Sequence, residues 1–141
     1  MGQSRNEYLY TLIEECIESL TNIRHAIYAH AYQNDDSLKN RCKAESVRGA
    51  SCFNEGVDSV EIIEDIIYDA NELLPWMKLP GTNALRLVVP APACGRKFLN
   101  AASHDWKTGP IECNRIVVIL GKKVDKIGCV TNIYVKTAYP E

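Results

Sequence analysis

Apolar residues change their spacing once along this chain, near residue 82, and that change limits the folds open to it. From Asn6 to about His30 they fall at Leu9, Leu12, Ile13, Cys16, Ile17, Leu20, Ile23 and Ile27, with Glu14, Glu15 and Glu18 mostly opposite. Steps of three and four make the stripe of an amphipathic helix. Asn34-Asp35-Asp36-Ser37 interrupts it and supplies cap residues for a short second helix to about Ala44. Gly49 to Asn54 reads as a turn. A third helix is expected from about Val57 to Leu74, with Val60, Ile63, Ile67, Ala70 and Leu74 on one face, Pro75 following it and Pro80-Gly81 as a stop.

Beyond residue 82 the texture is that of strands. Leu85 to Val89 reads as one, ended by Pro90 and Pro92, and Arg96 to Ala101 as another. His104 to Pro110 is a polar connection containing Trp106. Arg115 to Leu120 is apolar enough for a central strand, Gly121 to Lys126 reads as a basic turn, and Ile127 to Tyr139 returns as the second arm of a hairpin. Helices first and strands afterwards predict an α+β fold, N-terminal helices packed on a C-terminal antiparallel sheet. The length of 141 residues suits one domain, residues 1–141, large enough to fold without obligatory staples.

Charge is divided unevenly. Residues 1–84 hold 7 Lys+Arg and 14 Asp+Glu, for 7 − 14 = −7, and residues 85–141 hold 9 and 4, for 9 − 4 = +5. Glutamate-rich helix faces account for such a split, and so does a basic half facing a polyanion. A pI near 5.9 argues against a general nucleic-acid binder but leaves room for one local basic groove. No apolar run approaches the roughly 20 residues of a spanning helix, so no membrane partner is expected. The acidic residues of the first stripe break the order of a signal peptide, so export would rely on residues outside this sequence.

Six cysteines, Cys16, Cys42, Cys52, Cys94, Cys113 and Cys129, include no pair two to four apart. Zinc-knuckle spacing is therefore absent, and with three histidines no metal site and no cofactor is expected. Reduced, buried thiols are the favoured reading; disulfides stay open, because spacing does not give connectivity.

A different set of residues suits RNA cleavage without metal. The 2′-hydroxyl must lose a proton, the 5′-oxygen must gain one, and charge on the phosphorane must be stabilised. An imidazole titrates near neutrality, a guanidinium offers a planar fork for phosphate oxygens, and hydroxyls on a rigid strand can donate to the same oxygens. His30, Arg41, Thr137 and Tyr139 supply these parts, and strand alternation puts 137 and 139 on one face. Taken singly, each has an ordinary explanation: a structural histidine, a solvated helix charge, two strand formers. His104 is a further acid–base candidate, with Lys107 and Arg115 near it in sequence. Trp76 and Phe53 read as core, and Lys122, Lys123 and Lys126 as a solvated turn.

The order of several short motifs carries a resemblance. His25 and His30 stand five apart, Asp35-Asp36-Ser37-Leu38 follows, and Arg41 comes eleven after His30. Ala50-Ser51-Cys52-Phe53, a helical run to Trp76, Gly95-Arg96, and Thr137-Ala138-Tyr139-Pro140 complete the series. In these features residues 25–141 resemble the RNase A-like toxin domain at the C-termini of bacterial contact-dependent growth-inhibition proteins. The resemblance implies an RNase A-like fold and a metal-independent endoribonuclease toxin. Its product would be a 2′,3′-cyclic phosphate, and its partners an RNA substrate such as tRNA and a cognate immunity protein. It implies a monomer, delivered as part of a larger toxin and acting in the target-cell cytoplasm. Carried across, the catalytic positions are His30, Arg41, Thr137 and Tyr139, with His25 as a supporting or substrate contact. Ala31-Tyr32 stands where the family often has valine-glycine, six cysteines exceed its usual number, and an extra N-terminal helix, residues 1–24, lies outside the match. Two alternatives remain: a toxin nuclease of the barnase, colicin or RelE kind working through His104 and Lys107, and a non-catalytic immunity or scaffold module using the acidic helical face.

Overall fold

The computed structural model describes residues 32–44 and 49–141. The N-terminal helix expected over residues 6–30, with His25 and His30, lies outside the described residues. The rest is α+β. Helix α1 spans Asp35–Ala44, strand β1 Gly49–Phe53, α2 Ser59–Asp69 and α3 Leu73–Lys78. Then come β2 Leu85–Leu99, a 3-10 turn at Trp106–Thr108, β3 Ile111–Val124 and β4 Val130–Pro140. The strands form a four-stranded antiparallel sheet in the order β1-β2-β3-β4.

Four expectations are corrected. Gly49 to Asn54 is a strand rather than a turn: Gly49 pairs with Leu99 and Phe53 with Gly95, antiparallel. Five residues of mixed propensity become β because a partner strand is there to bond them. The third helix is two, broken at 70–72, and Pro75 lies inside α3 rather than after it. In a first turn no intrahelical acceptor awaits the N–H that proline lacks; the i−4 ladder begins at Trp76, which donates to Glu72 O at 3.1 Å. Pro90 and Pro92 do not end a strand, and the strand expected over Arg96 to Ala101 is not a separate one, since β2 runs without a break to Leu99. Among the described residues β1 reaches only to Gly95, so the stretch with both prolines has one neighbour fewer, where missing donors are tolerated. Finally, Gly121 to Val124 belongs to β3, and the hairpin turns later. There Asp125 N donates to Cys129 O at 2.9 Å and Gly128 takes a φ of 89°.

Residues group into two compact units, to both of which β2, β3 and β4 contribute. One comprises, among described residues, 60–87 and 118–137. Its core is aliphatic apart from one indole: Ile63, Ile66 and Ile67 from α2, Leu73, Trp76 and Met77 from α3, Val118, Leu120, Ile133 and Val135 from the strands. The other comprises described residues 32–59, 88–117 and 138–141. In it α1 presents Leu38 and Cys42 to Ala50, Cys52 and Phe98, with Trp106 packed against the cluster. Cys42, Cys52, Cys94 and Cys113 carry buried thiols and Cys129 an exposed one. Burial raises the Cys94 thiol and pushes that of Cys113 up to about 11. Trp76 and Phe53 are core residues, as expected. Among the described residues, no helix is long and apolar enough to cross a membrane.

Candidate active site

Helix α1 is set by its own first turn. Asn34 Oδ1 accepts from Ser37 N at 2.8 Å and Asn34 O from Leu38 N at 3.2 Å, an N-cap placed where the sequence indicated. Asp35 and Asp36 sit at the positive end of the helix, Arg41 and Lys43 at the negative end. Leu38 and Cys42 anchor it, Cys42 Sγ donating to Phe98 O at 3.2 Å.

The segment just past His30 is tied down by Arg96. Arg96 Nε donates to Asp35 Oδ1 at 2.7 Å, Nη2 donates to Gln33 O, and the guanidinium lies 5.1 Å from the centre of the Tyr32 ring. Burial lowers the Arg96 pKa, but the Asp35 hydrogen bond and nearby charges outweigh it, and the net shift is upward. Gln33 is held a second time, its N–H against Cys52 Sγ and its O against the same thiol, both at 3.4 Å. Gly95 makes this crossing possible. A Cβ there would stand 2.5 Å from Cys52 O and 2.6 Å from carbons of Pro140, so only glycine lets β2 pass. The Gly95-Arg96 pair is thus a clamp on residues 32–35.

Arg41 is half-buried in the last turn of α1, and it has interaction partners. At about 100° per residue it flanks the buried Leu38–Cys42 stripe on one side, with Lys39 and Lys43 on the other. Thr137 and Tyr139 are both half-buried on β4. Along that strand burial moves from Ile133 and Val135 to Ala138 and Pro140, and the change of face leaves 137 and 139 accessible. The C-terminal end is fixed in place: Glu141 N donates to Arg115 O at 2.8 Å, Asn114 N and Arg115 N donate to Glu141 O, and Arg115 forms an ion pair with the Glu141 carboxylate.

His104 is used structurally. Its Nδ1 accepts from Leu99 N at 3.2 Å, which leaves the proton on Nε2 to donate to Gly109 O at 3.0 Å. The ring stacks on Phe98, centroids 5.6 Å apart. With both nitrogens committed to backbone, a reading that puts proton transfer on His104 is disfavoured. Lys107 lies in the same 3-10 turn, where Asp105 Oδ1 caps its backbone N–H at 3.0 Å.

Lys122 corrects the picture of a solvated turn. It is 2% exposed, and its Nζ donates to Trp76 O at 2.6 Å and Leu79 O at 2.7 Å, 5.1 Å from the centre of the Trp76 ring. It closes the C-terminus of α3, a favourable place for a cation, while burial lowers its pKa. Nothing in Gly-Lys-Lys announces this, because both carbonyls lie over forty residues upstream. Among the described residues, no group of three His, Cys, Asp or Glu could hold a metal ion.

No protein-family model matches the chain, and no curated protein does. Among solved structures, its fold is similar to that of a chain in the crystal structure of a CdiA-CT/CdiI complex from Y. kristensenii. The TM-score is 0.58 at 17% identity, over 83% of this chain and 98% of that one.

Proposed function

We propose that this chain is a metal-independent endoribonuclease toxin of a contact-dependent growth-inhibition system. His30 takes the 2′-hydroxyl proton and returns one to the leaving 5′-oxygen. Arg41 neutralises the phosphorane, and Thr137 and Tyr139 donate hydrogen bonds from β4, leaving a 2′,3′-cyclic phosphate. His25 supports His30 or contacts substrate. The observation that carries the reading is the Arg96 clamp. It fixes Tyr32 and Gln33, the residues just past His30, at the start of the helix that bears Arg41. An acid–base group and a phosphate ligand eleven residues apart need such a fixed connection. The shared fold with a chain of a toxin–immunity complex supports the same system, a cognate partner and delivery into target cells. RNA, tRNA included, is the substrate class.

That complex contains both CdiA-CT and CdiI, and the −7 charge of residues 1–84 would suit a chain that binds a basic toxin. An immunity-type module is therefore the second reading. Incubating purified protein with total RNA in EDTA separates the two: the nuclease releases fragments with cyclic phosphate ends, and His30→Ala abolishes their release without unfolding the protein. Intact RNA with wild-type protein, or full cleavage by the variant, rejects the assignment.

A further inference from the structure

On the flank of α1 away from Arg41, a group of residues has no role in the proposed chemistry. Lys39 Nζ lies 5.2 Å from the centre of the Phe98 ring, and Lys43 Nζ lies 5.4 Å from that of Trp106. Four residues apart, they share a helix face, one turn and ~6 Å between them. Neither ammonium, nor that of Lys107, has a carboxylate partner among the described residues. Asp105, the acidic residue of the adjoining loop, spends its Oδ1 on the Lys107 N–H.

The aromatic surface beneath is rigid. Trp106 Nε1 donates to Leu99 O at 2.8 Å, and its ring meets Phe98 edge-on at 6.1 Å. His104 is pinned at both nitrogens, so the loop from Asn100 to Gly109 is braced at several points. Above the half-buried indole opens a pocket of about 220 Å³, lined by Cys42, Lys43, Asn100, Ala101 and Trp106. Asn100 Oδ1 accepts from Ala102 N at 3.0 Å, which leaves its amide N–H groups to donate outward.

A flat π-surface, an amide donor beside it and two ammonium groups in line are what a single-stranded polynucleotide needs. The geometry points to a subsite for single-stranded RNA outside the reaction centre. One base stacks on Trp106, Asn100 donates to its edge, and Lys43 and Lys39 neutralise the phosphates on either side. Lys43, ion-paired with none of the described residues, exchanges the indole for a phosphate. This rests on the ribonuclease reading and extends it: RNA bound here is gripped at a second point, so the enzyme selects unpaired strands. A base locked in a duplex cannot present its face to Trp106.

The test is fluorescence anisotropy of the full chain with a labelled single-stranded RNA carrying 2′-O-methyl groups throughout, which lacks the attacking hydroxyl. Lys39→Gln/Lys43→Gln should weaken binding about tenfold and reduce the slope of log K against log salt by about 1.4, two phosphates at 0.7 each. Trp106→Ala should weaken it as well, while Trp106→Phe keeps most of the affinity; circular dichroism of each variant confirms folding. Equal affinity and slope in the lysine variant and wild type would overturn the subsite. So would a wild-type protein that binds no oligonucleotide, which would leave the patch to an acidic protein surface. Because binding is read without cleavage, the two claims fail separately. A wild type that cuts RNA beside an unaffected lysine variant sinks the subsite alone, and a weakened lysine variant beside an inert wild type sinks the nuclease alone.

Discussion

Each of the two units removes a cation from water, and they do it in opposite ways. Arg96 is placed between a carboxylate, a backbone carbonyl and a tyrosine ring, and its charged form is favoured. Lys122 is fully buried beneath α3 with two carbonyls and an indole, and its charged form is disfavoured. Arg96 holds a connection to helix α1, where the proposed chemistry begins. Lys122 holds a helix end against a strand in a largely aliphatic core. The contrast teaches that a positively charged residue in this basic C-terminal stretch is no guide to function by itself; what it donates to is.

Stability should show the difference first. Lys122→Ala takes one hydrogen bond from each of the Trp76 and Leu79 carbonyls, although Trp76 O keeps the one from Leu79 N, and it opens a cavity where the buried side chain was, so about 2 kcal/mol or more should be lost. Lys122→Met, which fills the space and removes the cost of burying charge, should recover part of that. A urea midpoint for Lys122→Ala within error of wild type would mean the two cations are not distinct in kind.

Arg96→Ala should cost less stability, about 2 kcal/mol, since Asp35 is half exposed and water can take over its hydrogen bond. Its effect on RNA cleavage should be larger than its effect on folding, because residues 32–35 lose their anchor. Arg96→Lys should not restore the rate, since an ammonium cannot span Asp35 and Gln33 in one plane. Cleavage that simply tracks the folded fraction would reduce the clamp to an ordinary surface ion pair.

At high pH the two units should move in opposite directions. The Cys113 thiol, neutral when folded, has its pKa raised by burial from 9.0 to about 11. Its contribution is complete below pH 9 and declines as pH rises to 11, because the unfolded chain ionises first. The depressed Lys122 pKa works the other way, adding stability as pH climbs toward 10.5. Denaturation midpoints between pH 8 and 11 should therefore fall less steeply in Cys113→Ala and more steeply in Lys122→Met; identical profiles in all three proteins would contradict this.

Local signals were legible in the sequence where the physics is local. The Asn34 cap, the acidic first turn of α1 and the β3–β4 hairpin all rest on residues within a few positions of one another. What escaped notice depends on distant partners. β1 is a strand because Leu99 to Gly95 pair with it, and Pro90 and Pro92 are tolerated because β1 stops short of them. Lys122 is buried because α3 ends above it. At the candidate site, spacing and resemblance pointed to Arg41, Thr137 and Tyr139, and the structure places them on α1 and β4. Nothing local marks Lys39 and Lys43, because the rings of Phe98 and Trp106 beneath them come from far downstream in the chain.

The central claim is that the α1 side of the molecule works on phosphate. Its most direct test is the rate at which Arg41→Ala cuts total RNA in chelator, compared with wild type at equal folded fraction. A guanidinium that neutralises the transition state predicts a loss of about 10² or more with little change in melting temperature. An undiminished rate would contradict the account.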